Sequence, residues 1–381
     1  MKIKRIPVVY IITKLELGGA QKVCLSLFKA LQQKGYAAHL ISGKEGPLVQ
    51  QISNHEQVFL LSSMQREVSL AALWNEWISF RELTKTLQAL KKEHPNLIVH
   101  THSTKAGFVG RWAAWWAGIK TRIHTIHGYG FHEHQSWIVW LPIYFLELLT
   151  SFITSHFICV SAHDAKTGMR LFPGFKNNHS IIRAGVDTEQ FYTPAIQLHT
   201  PSTKKPFIFG TVSCFKPQKN LFDLLQAFEM VYQTDTRARL EIIGDGIQRK
   251  QLEQWIEKRH LSQVITLHGW QKSVATISKT WHTFVLSSLW EGLPCAIVEA
   301  RLQHLPVISY KTGGIPEIII DQQNGFIVEQ GDWQALAHCM KLLMHERGLY
   351  KKMQQFPDQL NDFSAEHMIQ EHITLYKQFL S

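Results

Sequence analysis

Two glutamates in the last third of the chain have a spacing and a setting that suit an anionic ligand rich in hydroxyl groups. Glu291 stands in a Gly/Pro loop after the apolar run TFVL, and Glu299 follows eight residues later. The stretch from Thr283 to Ile320 reads as strand, loop, helix, strand, loop, helix. In a parallel sheet both loops leave the carboxyl edge and open onto helix N-termini, whose free N–H groups attract anions. Carboxylates beside such donors suit a nucleotide sugar.

Two lysines and one histidine stand at comparable places in other predicted strand–loop segments. Lys216 and Lys219 flank a proline before the predicted helix Leu221–Val231. Ammonium groups beside helix N–H donors suit a phosphate clamp, and a solvated turn is the alternative. His127 ends the predicted strand Arg122–Ile126, so its ring should stand at the sheet's carboxyl edge. There it can hydrogen-bond a reacting hydroxyl or phosphate, or cap its own loop.

The chain opens with a strand–helix–strand pattern that carries a diglycine. Gly18 and Gly19 separate the predicted strand Ile6–Thr13 from the helix Gln21–Lys34. Backbone can approach a diphosphate closely at such a place. The sequence is not GxGxxG, so ligand contact and a plain turn both stay open. Six histidines between positions 100 and 134 lack acidic residues at metal-ligand spacing, so we expect no metal site.

Length and composition bound the architecture. A chain of 381 residues with 45% apolar residues favours two domains, each with its own core. We predict an N-terminal domain over 1–192, a Pro-, Thr- and Lys-rich linker over 193–206, a second domain over 207–364, and a last helix over 365–381 that crosses back to the first domain. Five scattered cysteines without CxxC spacing indicate reduced thiols and a cytoplasmic protein. The apolar N-terminal run reads as a buried strand rather than a signal peptide.

Positive charge is concentrated in the first half. Of the net charge of +10, the residues through Gln190 hold 21 Lys and Arg against 12 Asp and Glu, and the rest hold 19 against 18. This half is expected to meet an anionic partner, unless the charge serves only solubility. Five of the twelve tryptophans lie between Trp112 and Trp140, so interfacial membrane contact and core packing both stay open. The apolar segment Trp137–Val160 contains polar residues and a proline, which predicts helix then strand rather than a span.

Taken together, these residues resemble the retaining glycosyltransferases of family 4, of the kind that assemble bacterial surface polysaccharides. The family's E-x7-E pair matches Glu291 and Glu299 in EGLPCAIVEA, and TGGIPEII matches its next loop. Gly18-Gly19 matches the glycine loop, VSCFKPQKN stands in place of a V-G-R-L-x-x-x-K-type segment, and IIGDG, LHGW, HTIHG and ICVS are also similar. The resemblance implies an α/β protein of GT-B architecture, with two Rossmann-like doubly wound parallel sheets facing a central cleft.

The resemblance also implies roles for individual residues. Glu299 would hold the donor's ribose, Glu291 and the backbone of the loop would hold the sugar, and Lys219 would neutralise the diphosphate. His127 would face the reacting centre and is, with Glu291 and Lys219, a candidate catalytic residue. The implied donor-binding set is Gly18, Gly19, Lys216, Lys219, Gly269, Trp270, Glu291, Gly292, Leu293, Pro294, Cys295 and Glu299.

One position departs from the family. Its arginine just past the strand falls on Cys214, and Lys216 could supply that charge, although an ammonium lacks the bidentate fork of a guanidinium. No DxD motif occurs in the chain, so we expect catalysis without a divalent metal and without a cofactor beyond the UDP- or GDP-linked sugar. The lysines and helix dipoles would stabilise the leaving diphosphate instead.

The acceptor is expected on the basic, Trp-rich first domain, with His102, Lys105 and Arg111 as its candidate ligands. We expect a lipid-linked saccharide, and a protein peripheral to the inner face of the cytoplasmic membrane. Two alternatives remain at this point: a nucleotide-sugar epimerase of the same architecture, and a non-catalytic protein that binds an anionic surface. Nucleic acid is not expected as a partner, because no Lys/Arg stripe with base-reading spacing occurs.

Overall fold

The computed structural model describes residues 6–52, 55–64, 72–193, 201–202 and 204–380. These residues form two compact units. Unit 1 comprises the described part of Met1–Gly185 together with that of Ala365–Ser381, and unit 2 comprises the described part of Val186–Ser364. The predicted linker falls in large part on residues 194–200 and 203, which lie outside the described residues.

Unit 1 is built on a seven-stranded sheet in which every pairing between neighbouring strands is parallel. Its strands are β1 (Pro7–Ile12), β2 (Ala37–Gly43), β3 (Val58–Leu61), β4 (Ile98–His102), β5 (Thr121–Ile126), β6 (His156–Cys159) and β7 (His179–Ile181). The helices that connect them are α1 (Gly19–Gln33), α2 (Ala72–Glu93), α3 (Thr104–Trp116), α4 (Trp137–Ser151) and α5 (Ala162–Leu171). Central strands such as PVVYII are apolar along their whole length and fully buried, as expected for a sheet covered on both faces.

Unit 2 has a six-stranded parallel sheet. Its strands are β8 (Phe207–Val212), β9 (Ala238–Ile243), β10 (Ile265–Gly269), β11 (Thr283–Leu286), β12 (Val307–Tyr310) and β13 (Gly325–Val328). Its helices are α6 (Thr188–Phe191), α7 (Leu221–Tyr232), α8 (Arg249–Lys258), α9 (Val274–Ser278), α10 (Cys295–Leu302), α11 (Trp333–His345) and α12 (Arg347–Gln354). The prediction of two doubly wound parallel sheets is confirmed.

Both sheets have a point at which the strand order reverses. The order is β3-β2-β1-β4-β5-β6-β7 in unit 1 and β10-β9-β8-β11-β12-β13 in unit 2. Successive connections therefore diverge between β1 and β4, and again between β8 and β11. The loops on either side of such a switch point turn away from each other and leave a crevice, which is where open α/β sheets bind ligands. The carboxyl ends of these four strands therefore border the two crevices.

The last helix, α13 (Ala365–Gln378), belongs to unit 1. Its Tyr376 hydroxyl lies 2.6 Å from His100 Nδ1 in β4 and 3.2 Å from the Tyr10 hydroxyl in β1. At the other boundary, α6 packs on α10 in unit 2. Unit 2 therefore begins at Val186, a few residues before the predicted end of the first domain at 192.

The apolar segment Trp137–Val160 folds as α4 followed by β6, so the prediction of a helix and then a strand is confirmed. Among the described helices, none combines the length and the hydropathy that crossing a bilayer requires.

Candidate active site

The switch point of unit 2 holds an ion pair between two of the predicted donor residues. Lys219 ends a short 3₁₀ turn after β8, and Glu291 stands in the loop after β11. Lys219 Nζ donates to Glu291 Oε1, and the two side chains are only 16% and 10% exposed. A largely desolvated ion pair exerts a strong local field, and removing one partner leaves the other charge without compensation. The structure thus brings together residues that lie 72 positions apart.

Hydrogen bonds to backbone carbonyls connect neighbouring loops along this carboxyl edge. The amide of Gly244 donates to the carbonyl of Gly269, and the amide of Phe215 donates to the carbonyl of Asp245, both over 2.9 Å. Ser287 Oγ then donates to the carbonyl of Lys219 over 3.0 Å. The loops after β10, β9, β8 and β11 are therefore held in a fixed order, and a ligand along this edge would meet a preorganised surface.

A close approach between two loops fixes the position of Glu291. The amide of Gly314 donates to the carbonyl of Gly292 over 2.7 Å. Gly313 has φ +50°, and a Cβ atom there would lie 2.0 Å from the carbonyl oxygen of Glu291. Only glycine satisfies both the left-handed backbone and this contact. The TGG segment therefore serves as the surface against which the Glu291 loop packs.

Helix α10 carries the rest of the predicted donor loop. It begins at Cys295, and its N-cap residue Pro294 makes no side-chain capping bond. Its first N–H groups therefore point out of the helix end with the positive end of the dipole. Glu299 stands one turn further along and lines a small pocket with Val212, the last residue of β8, and Trp281. Both glutamates thus lie beside the β8–β11 switch point, while Gly292, Leu293 and Pro294 are themselves buried.

Three further predicted donor residues, Lys216, Gly269 and Trp270, map to the same edge, and so does Cys214. Lys216 is half-buried and immediately precedes the 3₁₀ turn that carries Lys219. Cys214, which takes the place of the family arginine, is half-buried in the same loop. Gly269 ends β10 with φ +68°, and the Trp270 ring beside it is 45% exposed and available for stacking.

Several residues of this site were not predicted from the sequence. Asn220 caps α7 with φ +44°, a left-handed conformation that asparagine tolerates better than most residues. Its side-chain amide donates to Asp223 Oδ2 over 2.7 Å, and the hydroxyl of Tyr310 donates to the same oxygen over 2.7 Å. Gln218 Nε2 donates to the carbonyl of Trp290 over 2.6 Å. The bond from Gln218 holds the Lys219 loop against the Glu291 loop, and the bonds to Asp223 hold the start of α7 against β12. No local sequence signal marks these bonds.

The switch point of unit 1 lies where the β1 and β4 loops meet. Gly18 is the N-terminal cap of α1, which begins at Gly19, so the diglycine stands at a helix N-terminus. Thr13 Oγ1 lies 2.9 Å from Ser103 Oγ and accepts a bond from the amide of Ala106 over 3.1 Å. Ser103 has φ +67° and ψ 152°, a region nearly reserved for glycine that costs about 1–3 kcal/mol. Strain of this kind concentrates at binding and catalytic sites.

A stack of buried histidines leads from the core of unit 1 to this edge. The rings of His100 and His102 are 4.4 Å apart between centroids, and His102 Nδ1 lies 3.0 Å from His127 Nε2. Burial, reinforced by the nearby His372, lowers the pKa of His127 to about 3. Burial, with His100 and His127 as neighbours, holds the pKa of His102 well below its usual range. These rings are therefore neutral at pH 7 and act as hydrogen-bonding groups, not as cations.

The three predicted acceptor ligands differ in burial and in their bonding partners. Arg111 is fully buried: its guanidinium donates to Glu147 Oε2 over 2.8 Å and to Thr154 Oγ1 over 3.0 Å. It is therefore unavailable to an acceptor, and the assignment of Arg111 is corrected to a structural one. His102 is buried as well and reaches the edge only through its bond to His127.

Lys105 lies in the first turn of α3 and pairs with Glu76. Among the described residues, no group of three or more His, Cys, Asp or Glu side chains is arranged to hold a metal ion.

Comparison with known proteins agrees with this geometry. A sequence profile described as Glycosyltransferase Family 4 matches residues 17–190, and one described as Glycosyl transferases group 1 matches residues 195–358. An Escherichia coli protein named UDP-Gal:alpha-D-GlcNAc-diphosphoundecaprenol alpha-1,3-galactosyltransferase is 30% identical over 333 residues, 85% of this chain and 84% of its own length. The chain belongs to glycosyltransferase family 4.

Two further comparisons place this glycosyltransferase more broadly. The capsular polysaccharide biosynthesis glycosyltransferase CapM of Staphylococcus aureus is 23% identical over 375 residues, 92% of each chain. The crystal structure of Anabaena HepE in complex with UDP and glucose superposes with a TM-score of 0.81 at 18% identity, covering 98% of this chain and 100% of HepE. That similarity establishes the fold, and the GT-B architecture expected from the sequence is confirmed.

Proposed function

We propose that this glycosyltransferase moves a hexosyl group from a UDP-sugar to a hydroxyl of a lipid-linked saccharide, with retention of anomeric configuration, during surface polysaccharide assembly. The Lys219–Glu291 pair at the β8–β11 switch point carries the proposal, because a cation and a carboxylate meet there at the carboxyl edge of the sheet. The E. coli relative's name makes UDP-galactose the first donor to test and a polyprenyl-diphosphate N-acetylglucosamine the first acceptor. The CapM relative supports the polysaccharide context.

The site must promote the departure of the nucleoside diphosphate from the sugar. The bond between the anomeric carbon and the diphosphate oxygen breaks, the bond to the acceptor oxygen forms, and the acceptor hydroxyl passes its proton to an oxygen of the departing diphosphate. Negative charge grows on the diphosphate as the bond breaks, so fixed cations placed there lower the barrier. Lys219 and Lys216 supply that charge at the loop that opens onto α7. The arriving diphosphate competes with Glu291 for the Lys219 ammonium and frees the carboxylate for sugar hydroxyls.

Two consequences follow for the mechanism. Because Glu291 is assigned to hold the sugar, no protein nucleophile is needed, and the acceptor attacks from the face that the diphosphate leaves. Because lysines and helix N-termini stabilise the leaving group, transfer proceeds without a divalent metal. Full activity in excess chelator is expected, and a loss of activity that Mg²⁺ or Mn²⁺ restores would contradict this second consequence.

The test is a transfer assay with the purified full chain. UDP-galactose, UDP-glucose and GDP-mannose are each incubated with and without a short-chain polyprenyl-diphosphate N-acetylglucosamine, and products are analysed by mass spectrometry and NMR. The expected result is a disaccharide product from a UDP-sugar, with an α linkage from an α-linked donor. An inverted linkage would overturn retention. A changed donor without acceptor would instead show an epimerase, and no turnover with any pair would reject the proposed substrates.

Donor choice can be screened before the acceptor is known. A ligand that binds only the folded state stabilises it and so raises the unfolding temperature. At a ligand concentration of a hundred times Kd, the free energy of unfolding rises by about 2.7 kcal/mol. UDP is expected to stabilise the protein more than GDP at equal concentration. The Glu229→Gln variant should respond as wild type does. Glu229 lies in the last turn of α7, at the end away from the site, and accepts a hydrogen bond from Arg259. Equal shifts from UDP and GDP would reject the assignment of the donor base.

A further inference from the structure

The outward face of α4 in unit 1 is entirely apolar. Its most exposed side chains, together with Phe152 at the C-cap, form what we call the α4 surface: Trp137, Ile138, Val139, Phe145, Leu149 and Phe152. Trp137, Phe152 and Ile138 are 73%, 68% and 65% exposed. Isolated apolar residues are normal on a protein surface, but a contiguous patch of this kind marks a site of contact with another apolar body.

The polar residues of the same helix point inward. Glu147, the charged residue of α4, is buried and bonded to Arg111, and Thr150 Oγ1 accepts from Trp112 Nε1 over 3.0 Å. An ordinary surface helix buries its apolar stripe and turns its charges to water. Here the charge is neutralised inside the unit, while large apolar side chains face outward. This inverted arrangement is stable where the outer face is covered by an apolar medium.

Aromatic and basic groups border the carboxyl-terminal end of the α4 surface. Trp115 and Trp116 are 46% and 66% exposed, and Trp115 lies 5.7 Å from Trp112 between ring centroids. Arg122 Nε donates to the carbonyl of Ile153 just after α4, and Lys120 beside it is exposed.

Trp115, Ile119, Lys120 and Arg122 contribute to a shallow pocket of about 350 Å³. Tryptophan with Lys or Arg beside an apolar helix face is the composition of a membrane interface, where rings sit at headgroup depth and cations meet anionic lipid.

Length and charge decide what covers this face. The helix has 15 residues, short of the roughly 20 that a span requires, so it would lie in the interfacial plane. An isologous contact with a second copy would bring identical cations and two positively charged halves against each other. An anionic bilayer instead complements both the apolar face and its basic border.

We propose that the α4 surface inserts into the interface of an anionic lipid bilayer, with the Lys120 border contacting lipid phosphates. The binding itself is independent of the proposed function. Only its consequence, the delivery of unit 1 to a lipid-linked acceptor, rests on the proposed transfer reaction.

The test measures sedimentation of the full chain with vesicles of phosphatidylcholine, alone or with 30 mol% phosphatidylglycerol. Wild type is expected to bind the mixed vesicles more tightly. The double variant Phe145→Gln/Leu149→Gln, which keeps charge and helix propensity, should bind at least about tenfold more weakly. The matched control Met230→Gln/Ile247→Gln removes two exposed apolar side chains from unit 2 and should bind as wild type does.

A charge variant separates the lipid phosphates from the apolar contact. Lys120→Gln is expected to weaken binding to the mixed vesicles about fivefold and to leave binding to pure phosphatidylcholine unchanged. An equal loss on both vesicle types would reject the role given to the basic border.

The remaining outcomes keep the proposal falsifiable. Equal binding by wild type and the Phe145/Leu149 variant would overturn it. So would a dimer in sedimentation velocity that this variant abolishes while no vesicle binding occurs, since a second copy would then cover the face. If the double variant fails to fold, quenching by brominated phosphatidylcholine decides: wild type should be quenched more than Trp137→Phe, and equal quenching would count against insertion. No donor enters these measurements, so their failure leaves the transfer reaction standing.

Discussion

Each unit has its own doubly wound sheet, but the side chains at the carboxyl edge differ in charge. Those at the switch point of unit 2 are charged, and those at the switch point of unit 1 are neutral. At the β8–β11 switch point of unit 2, a charged lysine and glutamate meet in a nearly dry environment. At the β1–β4 switch point of unit 1, the groups are glycines, hydroxyls and histidines that burial keeps neutral. The fold supplies the crevice in both cases, and the side chains decide which part of a reaction each can serve.

For the proposed reaction, the two edges suit different chemical groups. A fixed cation beside helix N-termini suits the departing diphosphate, whose charge grows during the reaction. A neutral histidine next to strained backbone suits a group that must hydrogen-bond a hydroxyl without attracting the diphosphate away. His127 is the candidate for that role, since it ends the histidine stack at the edge of unit 1.

The largest expected effect comes from removing either charge of the Lys219–Glu291 pair in unit 2. Glu291→Gln and Lys219→Met should each lower kcat/KM by about a hundredfold to a thousandfold, because each leaves its partner charge uncompensated and removes a ligand contact. The double variant should be less than additive if the two residues act as a pair. Steady-state kinetics with the best donor checks this. Glu229→Gln, the matched ion-pair control, should change kcat/KM by less than about twofold, and a comparable loss there would contradict the special place of the switch-point pair.

Mild acid should destabilise unit 1 before unit 2. Burial lowers the pKa of His100, His102, His124, His127 and His372 in the folded state. When the pH falls below about 6.5, the pKa of histidine in the unfolded chain, these histidines bind protons in the unfolded state but stay neutral in the folded state. The free energy of unfolding therefore falls as the pH falls.

The loss continues down to the folded values, about 3 for His127 and about 4 for His372, and each ring contributes up to about 1.4 kcal/mol per pH unit. In unit 2, burial also lowers the pKa of His304. Hydrogen exchange of peptides from both units, compared at pH 7 and pH 5, should show the larger loss of protection in unit 1. Equal losses would refute the contrast.

The C-terminal helix is expected to stabilise unit 1 through one hydroxyl. Tyr376→Phe leaves two buried groups, His100 Nδ1 and the Tyr10 hydroxyl, without this partner, and should lower the free energy of unfolding by about 1–3 kcal/mol. In unit 2 the buried Tyr350 hydroxyl accepts only a long bond of 3.4 Å from Gln354, so Tyr350→Phe should cost under about 1 kcal/mol. Chemical denaturation measures both, and a reversed order would show that the hydroxyl of Tyr376 adds nothing.

The smallest effect concerns the departure from the family pattern. Cys214→Arg would return a guanidinium to the loop after β8, and KM for the donor should fall by roughly threefold to tenfold, because a bidentate donor contacts phosphate better than an ammonium does. Cys214→Ser, which changes the side chain without adding charge, should leave KM unchanged. A rise in KM with arginine would show that Lys216 already occupies that place.

The periodic elements were predictable because their signals are local. The predicted helix Leu221–Val231 and the predicted strands Ile6–Thr13 and Arg122–Ile126 differ from α7, β1 and β5 by one residue at one or both ends. The short strands β3 and β13 were not singled out, since four residues between turns give little periodicity. The small shifts at other ends reflect caps and fraying, which local pattern does not fix.

The places of the proposed donor-site residues in the fold were predictable for a related reason. Lys219, Glu291 and Gly269 each stand at or after the end of a strand with a clear pattern, and Glu299 lies one turn into the helix that follows the Glu291 loop. A parallel sheet brings all its carboxyl ends to one edge. The error at Arg111 shows the limit of this reasoning, because a basic residue in a basic half reads as exposed. Its buried partner Glu147 lies 36 positions away on a helix whose polar face turned out to be the inner one.

The amino-acid sequence alone determined the two α/β layers, the family, and the edge where the donor chemistry should lie, because these follow from periodicity and from residues next to strand ends. Only the tertiary structure decided which side chains share an ion pair, which histidines are buried and neutral, and which face of α4 meets the surroundings. Those properties depend on contacts between residues tens to hundreds of positions apart, and on the water that packing excludes. Local pattern cannot encode either.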